Sequence, residues 1–254
     1  MTNGAGAGEK SDEGPDGGSD DDARAWRARL GWAFGLVAED PADRAAALAR
    51  LIELQGEVRS ARERDSEAYA EARRGSLPEA LWCHYGTDIA TWPGLPYVLL
   101  FLEWEARHPR EWTEHCKEWG TKQGLIRDLA AAGHGEVVRA RLTDLVVTVV
   151  QRAYRCKDRE YVRVARAVDS AELRRRLRIA AASDDPWARR HARYVLWILD
   201  RPGTPNSRRV WRTWLAEESD TGPGESDTGP GESDTGPEES GSGPAGPVRP
   251  PGAP

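Results

Sequence analysis

Nothing in this 254-residue sequence is long and apolar enough to cross a membrane: the longest apolar run, Tyr97 to Leu102, is far short of the ~20 residues a bilayer demands. Cysteine is scarce. The three present, Cys83, Cys116 and Cys156, form no close pair, and an odd count argues against a disulfide framework. The N-terminus opens on Gly, Asp and Ser, with no basic segment leading into an apolar stretch, so a reducing, cytoplasmic location is expected. No Asn-Gly or Asp-Gly stands between alternating apolar runs, which removes the strongest hairpin signal. The nucleophile-elbow, phosphate-loop and dinucleotide fingerprints are missing as well, so no cofactor is expected and enzymatic function has no motif behind it.

Lysine is the other scarcity, at four residues against 32 Arg. A planar guanidinium matches phosphate geometry bidentately where an ammonium does not, but a GC-rich genome produces the same ratio. The position of the Arg residues is therefore the informative property.

The net charge of -6 conceals a division. Residues 1–22 hold seven acids and one Lys, residues 217–254 nine acids and one Arg, and both stretches are rich in Gly, Ser and Pro with little apolar content. Such composition cannot offset the entropy of ordering, so both are expected to be disordered acidic tails. The second contains a seven-residue unit, Glu218 to Gly224, repeated from Glu225 and again, with one change, from Glu232, and it reads as a solvated spacer. Between the tails, residues 23–120 form a Trp-rich half with 13 basic and 16 acidic groups, and residues 121–216 a basic half with 21 and 10. The two halves could together make one domain.

Inside this core the punctuation is that of helix starts, a cap or loop residue followed by Pro. Asp40-Pro41 and Asp185-Pro186 fit best, and Leu77-Pro78, Leu95-Pro96, His108-Pro109 and Thr204-Pro205 follow. The expected fold is all-α, a multi-helix bundle or short irregular α-solenoid. Its helices are expected over 23–38, 41–74 with a weak point at Gly56, 78–85, 96–107, 109–119, 122–132, 136–156, 158–168, 171–182, 186–200 and 205–216.

On a 3.6-residue wheel the basic half separates apolar from positive residues. Arg159, Arg163 and Arg166 lie opposite Tyr161 and Val164, with Arg152 and Arg155 continuing the spacing backwards. Arg174, Arg175 and Arg178 lie opposite Leu173 and Leu177; Arg189, Arg193 and Trp197, flanked by Arg190, lie opposite an inner stripe of Trp187, His191, Tyr194 and Ile198. Charge of one sign gathered on a surface attracts polyanions, and each phosphate neutralised releases counterions. These twelve residues are the candidate nucleic-acid-binding set, in an accessory or regulatory protein expected to bind nucleic acid, with DNA the favoured ligand. The competing account is a merely solvated helical face.

Two other classes stay open. A protein-interaction or self-associating module could use exposed Trp and the mixed-charge helix Glu57 to Arg74. An enzyme acting on nucleic acid would need a carboxylate beside the basic surface, and Asp158, Asp169 and Asp184 are undistinguished candidates. Cys83-His84 with His115-Cys116 lacks the ligand spacing of structural zinc, and Glu105 to His108 has the Glu-x-x-His form of a di-iron helix without its second copy. No metal is expected. Alternating Trp and Glu between Leu102 and Trp119 reads as one buried and one wet helix face rather than an acid-base pair. A helix-turn-helix over Lys122 to Gln151 would have too apolar a second helix to lie in a major groove.

Asp185, Pro186, Trp187, Ala188, Arg189, Arg190, His191 and Ala192, on to Leu196, resemble the second helix of a HEAT-type repeat, and Asp40, Pro41, Arg44, Ala47 and Leu51 share the spacing less fully. The resemblance covers two helices, with no 40-residue period between them, and it implies stacked helical pairs with a concave binding surface.

Overall fold

Helix caps and buried stripes organise the computed structural model, which describes residues 17–84 and 88–221. Among these residues there are eleven α-helices, three short 3-10 segments and no strand. The helices are α1 (Gly17–Leu30), α2 (Pro41–Arg64), α3 (Ser66–Arg74), α4 (Leu95–Arg107), α5 (Pro109–His115), α6 (Trp119–Ala131), α7 (Glu136–Val150), α8 (Tyr161–Ala167), α9 (Ala171–Ala181), α10 (Pro186–Leu199) and α11 (Arg208–Thr221). The 3-10 segments are Gly31–Val37, Glu79–His84 and Asp158–Glu160. The chain divides into two units at Trp214.

The all-α expectation holds, and its two best start signals are true caps. The Asp40 carboxylate accepts from the Ala42 amide at 2.8 Å and that of Asp185 from Trp187 at 2.9 Å, each with Pro as the first helical residue. Other boundaries move. The expected 41–74 helix breaks at Asp65, not at Gly56, because the Asp65 side chain caps the Ala68 amide and starts α3. Leu54 and Val58 are buried on either side of Gly56 and carry α2 through it. Residues 31–37 tighten into a 3-10 segment lying so close to α2 that a Cβ on Gly35 would stand 2.8 Å from the Ala47 Cβ.

The expected 136–156 helix ends at Val150, and the chain turns through 151–157, where Lys157 adopts a left-handed φ of 67°. The 205–216 helix starts at Arg208 instead, with the Ser207 hydroxyl accepting from the Val210 amide. Gly17–Asp22 and Glu217–Thr221, expected within the tails, are helical; Asp20 in the first turn of α1 suits the positive end of a helix dipole. The remaining tail residues lie outside the described ones.

α4 is the axis of the core. It is apolar nearly all round, with Tyr97 through Leu102 and Trp104 through Ala106 buried, as expected of a helix covered on every side. It packs against the 31–37 segment on one side and α7 on another, so one core runs across residue 120. α7 also packs on α8 and α9, and α10 covers α7, α8 and α9, with α9 its main neighbour.

Candidate nucleic-acid interface

The most charged place in the protein is inside it. Lys122 on α6 and Glu105 on α4 are both 0% exposed, and Asp158 is nearly so. The Lys122 Nζ lies 2.6 Å from Asp158 Oδ1, 3.0 Å from Glu105 Oε2 and 3.1 Å from the Cys156 carbonyl. Arg152 bridges the two carboxylates, at 2.8 Å from Glu105 and 2.7 Å from Asp158, and the Arg155 Nε donates to the other Glu105 oxygen at 2.8 Å. The rings of Trp119 and Tyr161 flank Lys122 at 5.4 and 5.5 Å. Burial, with Glu105 and Asp158 nearby, pushes the Tyr161 hydroxyl well above its ordinary pKa. Both carboxylates are saturated by cations, so this network anchors α4, α6 and the 151–158 segment and offers no free acid or base.

Arg152 and Arg155 therefore do not belong to an outward row. Helix periodicity places them outside only if α7 continues past Val150, and it does not. The α8 and α9 rows are largely neutralised where they stand. Arg163 pairs with Glu160 at 2.8 Å, Arg174 with Asp169 at 2.7 Å and Asp200 at 2.5 Å, and Arg175 with Glu172 at 2.8 Å. Arg166 donates to the carbonyls of Ile198, Arg201 and Thr204 beyond the α10 C-terminus, a favourable place for a cation. Arg159 is half-buried and Arg178 exposed, while Arg189 donates to the Ser183 carbonyl.

Beyond α9 the balance changes. Between Pro186 and Trp214 there are seven Arg, at 189, 190, 193, 201, 208, 209 and 212, and one acid, Asp200, which Arg174 already engages. Arg193, Arg201, Arg208, Arg209 and Arg212 are exposed.

Aromatic rings are interleaved with these cations. Trp187, Arg190, Tyr194, Trp197 and Arg201 recur on α10 and just past it at intervals of three and four residues, which places them along one stripe. The Arg190 guanidinium lies 5.8 Å over the Trp187 ring and that of Arg201 4.6 Å over Trp197, cation–π distances. Tyr194 stacks on Trp197 and receives the edges of Trp211 at 4.6 Å and Trp214 at 5.2 Å. Tyr154, Trp187 and Trp211 surround His191 with centroids at 5.9, 5.8 and 6.0 Å. Tyr154 and Trp187 remain 42% exposed.

Beneath them His191 Nε2 and Tyr194 Oη are buried without a hydrogen-bond partner in the protein. Such omissions cost about 1–3 kcal/mol each and are uncommon in a settled interior. Burial, opposed in part by Asp158, lowers the His191 pKa.

Of the nominated residues, the structure thus brings Arg190 and Trp197 onto this stripe, with Arg193 exposed on the same helix. Trp187, which the wheel puts on the inner stripe, is 42% exposed and belongs beside them, as do Tyr154, Trp211, Arg209 and Arg212, which the wheel omitted; the acid-free run after Asp185, broken only at Asp200, was the available signal for all but Tyr154. Among the described residues no group of three or more His, Cys, Asp or Glu is placed to hold a metal ion. The Cys83 and His84 side chains lie outside the described set. Glu105 of the Glu-x-x-His pattern is spent on Lys122, Arg152 and Arg155.

The chain matches no protein family, no curated protein and no solved structure. Its function is therefore argued from these residues alone.

Proposed function

We propose that this protein binds nucleic acid through the Arg-bearing, aromatic surface of α10 and α11. The observation that carries the reading is the composition of Pro186 to Trp214, seven Arg against one already paired acid, with Trp187 and Trp197 each beneath an Arg. Guanidinium groups beside indole rings, of which Trp187 is 42% exposed, suit a ligand that carries both phosphates and aromatic bases.

Fluorescence anisotropy with labelled random-sequence DNA tests this. Three phosphate contacts weaken binding about 40-fold between about 50 and 200 mM salt, and Arg209→Glu with Arg212→Glu should flatten that slope. A salt-independent affinity, or one untouched by the double charge reversal, would overturn the proposal.

A protein-interaction role has an observation of its own. Phe34 is 43% exposed beside a shallow groove lined by Trp32, Ala38, Ala46 and Ala47. A partner seated there would bind with little response to salt.

A further inference from the structure

We infer that the stripe Trp187, Arg190, Tyr194, Trp197, Arg201 takes a single strand of nucleic acid in preference to a duplex, its bases lying on the Trp rings and its phosphates on the Arg residues. The inference rests on the nucleic-acid reading and specifies the ligand.

A duplex hides the faces of its bases in the stack and presents only phosphates, sugars and groove edges, so exposed indole faces contribute little to gripping it. A single strand offers those faces. Stacking on an aromatic side chain is tolerant of sequence because every base has a π-face. With Tyr194 buried, the remaining members of the stripe, Trp187, Arg190, Trp197 and Arg201, alternate ring and cation along one line, which matches a ligand whose own aromatic and anionic groups alternate. Trp187 and Trp197 are ten residues apart, about 15 Å along the helix axis, a spacing that an extended strand can follow across both rings.

Each Trp carries an Arg over its ring, which holds the indole in place and sets positive charge beside the stacking surface. Tyr154 continues the exposed aromatic surface beyond Trp187 across His191. Arg209 and Arg212 on α11, the helix that supplies Trp211, add exposed cations. Between Pro186 and Trp214 the one acidic residue is Asp200, so the charge of that stretch complements a polyanion.

The test compares the full chain binding oligo(dT) with its binding to a hairpin duplex carrying the same number of phosphates. Oligo(dT) is expected to bind at least tenfold more tightly. Trp187→Ala and Trp197→Ala should each reduce oligo(dT) affinity roughly tenfold, within the range for loss of one stacked base, and leave duplex affinity nearly unchanged. Photocrosslinking of a 5-iodouracil-substituted strand to the unmodified protein requires no variant, and the adduct should map to peptides containing Trp187 or Trp197.

Equal or tighter duplex binding, adducts confined to other regions, or well-folded Trp variants that keep full oligo(dT) affinity would refute single-strand selectivity while leaving nucleic-acid binding intact. Failure of both probes to bind would remove the nucleic-acid reading itself.

Discussion

Lys122 shows how far a charged residue can be drawn into an interior when every partner is in place. Its ammonium has two carboxylates and a carbonyl within 3.1 Å, and Glu105 in turn faces Lys122, Arg152 and Arg155. Removing one member of a buried set leaves the others uncompensated, so Glu105→Gln should cost about 3–5 kcal/mol in urea unfolding. Arg175→Ala, which breaks only an exposed pair with Glu172, should cost less than about 1 kcal/mol. Comparable losses in the two variants would show that the network does not anchor the fold. Glu160 offers a pH test. Burial pushes its pKa up, but hydrogen bonds from Arg127, Gln123 and Arg163 outweigh this and hold it at about 2, below its usual 4.5. A depressed carboxylate stabilises fully above its unfolded pKa and loses that contribution as pH falls toward its folded one. The stability difference between the native chain and Glu160→Gln should therefore be constant above about pH 4.5 and narrow below it; a difference independent of pH would contradict the assignment. The partnerships of Glu105 were not legible in the sequence, because it stands 17 positions from Lys122 and 47 from Arg152, and residue spacing reports neighbours only within one element, as for Glu160 with Arg163 and Glu172 with Arg175.

Among the elements, boundaries marked by Asp-Pro were readable because cap and ring act locally: Asp40 and Asp185 both bond the first-turn amide. The break at Asp65 was not, since propensity points to Gly56 while burial of Leu54 and Val58 holds that turn helical. Asp65→Ala should remove the α3 cap at a cost of about 1 kcal/mol, seen as faster hydrogen exchange over Ser66 to Arg74, whereas Gly56→Ala should be neutral or stabilising in the same measurement. The end of α7 mattered more. A Val-rich helix reads as continuing through Arg152 and Arg155, yet the buried carboxylates of Glu105 and Asp158 draw both side chains inward from a turn. Local periodicity cannot register a long-range electrostatic demand of that kind.

Across the whole molecule, the surplus of positive charge in residues 121–216 is real in the sequence and unevenly placed in space. Glu160, Asp169, Glu172 and Asp200 pair with Arg163, Arg174 and Arg175 of the α8 and α9 rows, and the α4 carboxylate Glu105 takes up Arg152 and Arg155 inside the core. What remains gathers toward α10 and α11. Charge reversal at Arg175 should consequently leave nucleic-acid affinity within about twofold of the native value, while reversal at Arg209 and Arg212 should reduce it far more, a contrast that anisotropy at low salt would read directly.

The turn after α7 has two faces. Arg152 and Arg155 point from it into the buried charges, while Tyr154, between them, reaches His191 at the aromatic surface. Seven residues thus serve both the interior and the proposed binding surface. A chain whose core has not yet closed has no correctly seated Tyr154 to offer, so if nucleic acid binds there, an occupied surface should raise the melting temperature of the core that built it.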